Sequence, residues 1–160
     1  MVFAILIMFN IKYIKHLFGT CYGFERYGFV IKQEILFLLN MSHLISFAAT
    51  SNEKTAREFY EKILGLTLVS NDQFALVFEV NGTMLRIQKV EKVNPHGYTV
   101  LGWKVTDIKK EVNDLIKRGV KFARYDGTEQ NEHGIWIAPG GAMIAWFTDP
   151  DGNILSLTQF

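Results

Sequence analysis

The sequence has one cysteine, almost no surplus charge and no run of five like charges, and each of these scarcities excludes a class of protein. Cys21 has no second cysteine to pair with, which excludes an internal disulfide framework and a multi-cysteine zinc site. A lone cysteine is typical of a reducing compartment, so we expect a cytoplasmic protein. The 17 Lys and Arg residues offset the 16 Asp and Glu residues, so we expect no nucleic-acid partner.

The first part of the chain, residues 1–40, differs from the rest. Its apolar run at residues 2–9 is too short to cross a bilayer, and basic residues follow that run, whereas a secretory signal carries them before it. Three interpretations remain open: an over-long start-codon assignment, a membrane-associated or partner-binding extension, or an added structural element. From Met41 onwards the patterns are regular, so we expect the folded domain at residues 41–160, without a membrane partner.

Residues 44–90 predict a strand, a helix and three further strands. A strand at residues 44–50 precedes the capping segment Thr50-Ser51-Asn52-Glu53. The helix that follows carries its apolar face at i, i+3, i+4, i+7 and i+8, and Gly65 ends it. Its apolar face consists of Ala56, Phe59, Tyr60, Ile63 and Leu64. Strands are predicted at residues 66–70, 74–80 and 83–90, and Asn81-Gly82 is typical of a tight hairpin.

The same order repeats after a polar linker at residues 91–98. A strand at residues 99–105 leads into a helix that Thr106-Asp107 caps and Gly119 ends. Further strands are predicted at residues 120–125, 134–138, 143–147 and 154–159. The halves are related at an offset of about 55 residues, which indicates two copies of one unit. A plain α+β domain with accidental symmetry is the alternative.

Three segments carry a resemblance to a known family. They are Phe59-Tyr60-Glu61-Lys62-Ile63-Leu64-Gly65-Leu66, then Val105-Thr106-Asp107-Ile108 followed by Gly119-Val120, and finally Asp149-Pro150-Asp151-Gly152-Asn153. In this order and spacing they resemble the glyoxalase/bleomycin resistance protein/extradiol dioxygenase (vicinal oxygen chelate, VOC) superfamily, over roughly residues 43–160. The resemblance implies an α+β fold: two tandem βαβββ modules form a curved mixed sheet around a cavity, with the helices outside. Module one would span residues 43–90, the linker 91–98 and module two 99–160, with pairing within one chain or across a homodimer.

The Asp-Pro-Asp-Gly-Asn segment is predicted to be a structural turn. Pro150 presets φ, Asp149 can accept backbone hydrogen bonds, and Gly152 tolerates a left-handed conformation. A calcium loop would need ligands at alternate positions and a closing glutamate, but Ile154 and Leu155 follow instead.

The resemblance also implies where a metal would bind. Enzymes of the family hold a divalent metal on inward-facing His, Gln or Glu side chains of the first and last strands of each module. The corresponding positions here are Ile45, Arg86 (or Gln88), Val100 and Ser156. Isoleucine and valine offer no donor atom, arginine carries a fixed positive charge, and serine is a weak ligand. We therefore expect no cofactor. A divalent metal is the alternative, should the register be two residues off so that His43 replaces Ile45.

The same inward positions predict an apolar and aromatic cleft for a small molecule. The candidate ligand-binding residues are Phe47, Arg86, Gln88, Trp136, Trp146 and Ser156, with Gly102, Thr158 and Phe147 as further wall positions. Arg86 is expected to hold an anionic end of the ligand. The alternatives are that Arg86 points to solvent or pairs with Glu79, and that the tryptophans only pack together.

Two function classes follow. The first is a metal-free small-molecule-binding protein that resembles the bleomycin-resistance-type binders. The second is an enzyme of the VOC superfamily: a lactoylglutathione lyase-like or dioxygenase-like enzyme with a non-standard ligand set, or a metal-free isomerase. The sequence offers no Gly-x-Ser-x-Gly motif and no glycine loop leading into a helix that could cradle phosphate.

Overall fold

The computed structural model describes Leu39 and residues 42–160. Contacts divide the chain into two units, Met1–His43 and Leu44–Phe160, and the second unit carries the elements described below. The interpretations offered for residues 1–40 fall outside the described residues, apart from Leu39. No helix in the described part is long and apolar enough to cross a membrane.

The first module is a four-stranded mixed sheet with one helix. Strand order is β1-β4-β3-β2, in which β1 runs parallel to β4 and the other pairs are antiparallel. The elements are β1 (Ile45–Thr50), helix α1 (Glu53–Arg57) continuing into a π-helical segment (Glu58–Ile63), β2 (Thr67–Asn71), β3 (Ala75–Val80) and β4 (Thr83–Lys89).

The second module repeats this arrangement. Its strand order, β5-β8-β7-β6, matches that of the first module strand for strand, and β5 runs parallel to β8. The elements are β5 (Thr99–Lys104), α2 (Ile108–Lys117), β6 (Ile135–Ile137), β7 (Met143–Thr148) and β8 (Ile154–Gln159). The predicted α+β fold of two βαβββ modules is confirmed, and both modules pair within one chain through contacts between β1 and β5.

The local signals at both helices act as predicted. The side chain of Asn52 accepts from Thr55 N at 3.2 Å, and that of Asp107 accepts from Lys110 N at 3.0 Å. Each satisfies a backbone donor that the first helical turn leaves unpaired. Gly65 follows the first helix with φ +74° and Gly119 the second with φ +91°, a conformation that a side chain would strain.

The π-helical segment explains how two adjacent aromatic rings become buried. Leu64 N donates to Phe59 O at 2.9 Å, which is an i to i+5 bond, and so the helix is wider there. Phe59 and Tyr60 are both buried and meet edge to face with ring centroids 5.3 Å apart. The predicted apolar face of the helix therefore reaches the core, although through π rather than α geometry.

The strand predicted at residues 120–125 is wrong. Only Phe122 forms a bridge, to Phe147 of β7, and the segment is otherwise irregular. The side chain of Gln130 provides the reason: its amide donates to Ala123 O at 3.0 Å and its carbonyl accepts from Tyr125 N at 2.8 Å. A side chain thus satisfies the backbone groups that a neighbouring strand would otherwise pair.

The apolar core lies between the helices and the two sheets, and buried residues of both modules form one cluster. The rings of Phe59 and Phe147, from different modules, lie 6.5 Å apart within it. Because successive side chains of a strand point to opposite faces, each sheet turns one face to this core and the other away from it. We call the face that points away from the core the inner face of each sheet.

The turn at residues 149–153 fastens the second module to the first, and its predicted structural role is confirmed. Within the turn, Asp149 Oδ1 accepts from the backbone N–H groups of Asp151 and Asn153, and Gly152 has φ +85°. Towards module one, Thr50 and Ser51 donate their hydroxyls to the Asp151 carboxylate at 2.6 Å each. Tyr60 OH donates to Asp149 Oδ2 at 2.8 Å.

Candidate functional site

A cleft of about 500 Å³ opens where the two modules meet. The first and last strands of module one, the linker, the first strand of module two and the turn at residues 149–153 contribute to it, and we call it the seam cleft. It is lined by Phe47, Ala48, Ala49, Gln88, Val90, Lys92, Val93, Asn94, His96, Tyr98, Thr99, Val100 and Asn153. Its volume falls within the range of about 300–1,000 Å³ that is usual for small-molecule sites.

The linker forms one wall of the seam cleft because it is held at its start and again at Pro95. Val90 N donates to Thr50 O at 2.9 Å, which ties the start of the linker to the end of β1. Further along, Pro95 lies so close to Gly152 that a Cβ on that glycine would come within 2.9 Å of the proline ring. Gly152 thus provides the space in which the linker rests on the 149–153 turn.

Asn153 closes the floor of the cleft from module two. Its side-chain amide donates to Ala49 O and to Asp149 Oδ2, both at 2.8 Å. Since the amide bridges strand β1 and the turn, it holds the seam together rather than offering a free donor to a ligand. Asn153 is correspondingly buried.

The lining of the seam cleft is apolar with one permanent positive charge. Alanine, valine and aromatic side chains dominate, Gln88 and Asn94 are neutral polar groups, and Lys92 is the permanent cation. The lining contains no Asp or Glu. His96 and Tyr98 stack with ring centroids 5.1 Å apart and planes inclined by 12°, so the linker presents a paired aromatic surface.

The structure places the predicted site residues of module one on one face. Leu85 and Ile87 of β4 are buried in the core, so Met84, Arg86 and Gln88 lie on the inner face, as the alternation predicted. Phe47 and Gln88 line the seam cleft, and Phe47 is 47 % exposed. Arg86 pairs across the sheet with Phe47 on one side and Val77 on the other, and it lies outside the lining of the seam cleft.

The acidic partner of Arg86 is Asp72 rather than the predicted alternative Glu79. Arg86 Nη2 lies 3.9 Å from Asp72 Oδ2, which is a long and partly exposed ion pair. Backbone N–H groups of Phe74 and Ala75 lower the pKa of Asp72, and the charge of Arg86 lowers it further. Glu79 instead accepts a hydrogen bond from the backbone of Gly82 in the hairpin turn.

The predicted tryptophans form an aromatic cluster on the inner face of module two. Trp136 and Trp146 lie with ring centroids 6.0 Å apart, and Tyr125 meets Trp146 edge to face at 5.5 Å. Both tryptophans are half-buried, so they pack together and still expose part of their rings. None of the three lines the seam cleft.

Phe147 does not contribute to an inner wall, and this expectation is wrong. It follows Trp146 on the same strand and therefore points to the opposite face, where it is buried in the core. It borders a smaller cavity of about 280 Å³ between helix α2 and the second sheet. Proximity in sequence does not place Phe147 beside the Trp146 side chain, because strand alternation turns the two side chains to opposite faces.

Ser156 lies on the inner face but is buried against Gly102. The two residues are partners across β8 and β5, and a Cβ on Gly102 would come within 2.9 Å of Ser156 Oγ. Ser156 is 5 % exposed. Gly102 therefore allows the backbone of β5 to approach the serine closely.

The side chains at the family's metal positions do not fit a divalent ion. In the structure Phe47 is the cross-strand partner of Arg86, and Gly102 that of Ser156, so a register set by these pairs replaces Ile45 and Val100 with another pair that lacks donors. His43 lies in the opposite direction along the chain, before β1 begins at Ile45. A fixed guanidinium charge at Arg86 would repel a cation. Among the described residues, no three His, Cys, Asp or Glu side chains are grouped so as to hold a metal.

Fold and cleft together define a protein of paired βαβββ modules with a ligand-sized opening at the seam. The sequence profile of the Glyoxalase/Bleomycin resistance protein/Dioxygenase superfamily matches residues 41–157. The chain belongs to this superfamily. No curated protein sequence matches the chain significantly.

Solved structures show the same fold at low sequence identity. A member of the glyoxalase/bleomycin resistance protein/dioxygenase superfamily from Sphaerobacter thermophilus is 24% identical with a TM-score of 0.59, covering 74% of this chain and 97% of its own. Lactoylglutathione lyase from Agrobacterium tumefaciens is 15% identical with a TM-score of 0.56, covering 74% and 93%. The glyoxalase family protein from Enterococcus faecalis is 19% identical with a TM-score of 0.54, covering 72% and 94%. These likenesses concern the fold alone.

The linker is the part of the site that sequence reasoning missed. The composition of residues 91–98 predicts only a polar linker. The signal was present in Tyr98 and His96, two aromatic rings spaced by one residue in a segment otherwise rich in polar residues. Their contribution depends on the packing of Pro95 over Gly152, which brings together residues far apart in the chain.

Proposed function

We propose that this protein is a small-molecule-binding protein of the VOC superfamily that works without a metal, as bleomycin-resistance-type binders do, and that its ligand occupies the seam cleft. The observation that supports this most is the cleft itself: about 500 Å³, apolar and aromatic, with a few polar groups converging on it. Phe47 and Gln88 would contact the ligand directly. A longer ligand would extend along the inner faces towards Arg86 on one side and Trp136, Trp146 and Ser156 on the other.

The alternative is a lactoylglutathione lyase-like or dioxygenase-like enzyme with a non-standard ligand set. The observation in its favour is His96, an imidazole in the cleft lining that could act as one metal ligand. One imidazole is too few for a catalytic zinc site, which typically has three protein ligands. We therefore expect purified protein, after exposure to zinc, nickel, manganese or iron and then desalting, to retain no stoichiometric metal by elemental analysis. One equivalent of tightly held metal would favour the enzyme.

The binding proposal is tested by a thermal-shift screen of a small-molecule library on the full chain. A ligand that binds the folded state raises its apparent stability by mass action. Thr99→Trp places a large side chain in the seam cleft and should abolish the shift caused by each hit. Thr67→Trp makes the same exchange on the exposed strand β2 and is the matched control. Hits that survive Thr99→Trp would place ligand binding elsewhere.

We also propose a cytoplasmic homodimer. Ile45 and Met84 are exposed apolar side chains on neighbouring positions of β1 and β4, a surface of the kind that a second copy covers. Sedimentation velocity of the full chain measures the mass directly, and a monomer at all concentrations would contradict the dimer.

A further inference from the structure

We propose that the seam cleft selects an anion that carries a planar ring, with Lys92 as its counter-ion and the stacked rings of His96 and Tyr98 as its contact surface. This inference rests on the proposed function and names the class of ligand. The residues that determine which ligand binds then belong to the linker, and Arg86 on the inner face of module one is not among them.

The charge of the ligand follows from the ionic partners of the nearby cations. Arg86 has Asp72 at 3.9 Å, and Lys89 Nζ has Glu53 Oε2 at 2.7 Å. Lys92, in contrast, has no carboxylate within ion-pair distance among residues 42–160, and the cleft lining contains no Asp or Glu. A ligand in the cleft would therefore meet a positive charge that no carboxylate of residues 42–160 compensates, which favours an anion.

The shape of the ligand follows from the aromatic groups. Tyr98 is 62 % exposed although its ring stacks on His96, so one large apolar face remains in water. Phe47, 47 % exposed on β1, adds a second exposed aromatic ring to the lining. Aromatic rings gain most from offset or edge contacts with another ring, at about 0.5–1.5 kcal/mol beyond simple burial. A planar ring covers these surfaces better than a flexible chain of the same volume.

Two fluorescent probes of almost equal shape test the inference on the full chain. Anilinonaphthalene sulfonate is an anion with planar rings, and phenylnaphthylamine has the same ring system without the sulfonate. We expect the anion to bind more tightly, and its affinity to fall with added salt because the Lys92 charge is exposed. The affinity of the neutral probe should change little with salt.

Variants then separate the charge from the ring. Lys92→Gln should weaken the anionic probe about 1.5- to fivefold, the range expected of an exposed ion pair, and leave the neutral probe unchanged. Lys92→Glu should weaken the anion further. Lys62→Gln, on the exposed side of the first helical segment, is the matched control and should change neither probe. Tyr98→Ser should weaken both probes, whereas Phe74→Ser, at an exposed aromatic outside the cleft, should weaken neither.

The outcomes distinguish this inference from the proposed function. If both probes bind equally well, or if Lys92→Gln and Lys92→Glu leave the anion unaffected, the inference is overturned. Cleft binding would still stand if Thr99→Trp abolished both signals. If both probes bind Thr99→Trp as well as the unmodified chain, the site lies elsewhere and the proposed function fails with it.

Discussion

Replacing Tyr60 by phenylalanine removes one oxygen atom from the place where the two modules meet. Tyr60 is fully buried and donates its hydroxyl to Asp149 at 2.8 Å. Asp149 is 5 % exposed and also accepts from Asn153 Nδ2, Asn153 N and Asp151 N. The substitution therefore leaves a buried carboxylate with three of its four donors.

The expected loss of stability is about 1.5–2 kcal/mol. Hydrogen bonds to charged groups contribute about 1.5–3 kcal/mol, and the lower part of that range applies because three donors remain. Burial raises the pKa of Tyr60, and the neighbouring Asp149 raises it further, so the hydroxyl keeps its proton and remains a donor. At neutral pH, no change in protonation compensates for the loss of the Tyr60 hydroxyl.

The penalty should also depend on pH. Burial raises the pKa of Asp149 above its ordinary value of 3.8, while hydrogen bonds from Asn153 and Tyr60 oppose that rise. Because the folded pKa is raised, stability falls as pH rises through it. Tyr60→Phe removes one opposing hydrogen bond, so the fall becomes larger. The variant should therefore lose most at pH 7 and least near pH 4, where more of the carboxyl is protonated.

Urea unfolding followed by tryptophan fluorescence measures both effects, since all three tryptophans lie in the described unit. The midpoint should move while the slope with urea stays constant. Tyr98→Phe removes the same atom from an exposed ring and is the control. If Tyr60→Phe costs no more than Tyr98→Phe, or costs the same at both pH values, the hydrogen bond is not what stabilises this contact.

Three further predictions concern other parts of the chain. Burial raises the pKa of Asp151, but hydrogen bonds from Ser51 and Thr50 together outweigh burial, so this pKa lies below its ordinary value of 3.8. The stability that ionised Asp151 contributes is therefore lost as pH falls through the folded pKa. Asp151→Asn should cost about 0.5–1 kcal/mol at pH 7 in urea unfolding and make stability less sensitive to acid, and an unchanged acid profile would contradict this. Arg86→Met should leave the affinity of the anionic probe unchanged by calorimetry, because Arg86 lies outside the lining of the seam cleft and has Asp72 as its partner, whereas a loss of about 2–5 kcal/mol would make Arg86, and not Lys92, the residue that holds the anionic end. A chain that begins at Met41 should be soluble and melt cooperatively by circular dichroism, whereas aggregation of this chain alone would make residues 1–40 part of the fold.

Features set by near neighbours in the chain could be predicted from the sequence. Asn81 and Gly82 adopt φ of 47° and 82°, as a tight hairpin between β3 and β4 requires. Asn52 and Asp107 cap their helices through bonds that span three residues. In each case the side chain and the backbone group that it serves lie within one turn of each other, so no knowledge of the tertiary fold was needed.

Features set by distant contacts could not be predicted in the same way. The segment at residues 120–125 has strand-like composition, yet Gln130 supplies its hydrogen bonds. The linker becomes a cleft wall only because Pro95 rests on Gly152. Strand alternation predicts the face on which Arg86 lies. Its ionic partner Asp72 could not be predicted in this way, because Asp72 belongs to the turn between β2 and β3 and meets Arg86 only in the folded sheet.

The contact between Thr50 and Asp151 also has a consequence for the order of folding. These residues are 101 positions apart, so closing the seam brings together nearly the whole length of the domain. Long-range closures cost more chain entropy than local ones and form later. During synthesis, module one and the linker leave the ribosome well before the turn at residues 149–153, and the seam cleft cannot assemble until that turn is free. We therefore expect nascent chains stalled before Asp149 has emerged to be cut by protease within the linker, and released chains to resist. If stalled and released chains resisted the protease equally, the linker would take its place in the cleft wall without the turn at residues 149–153.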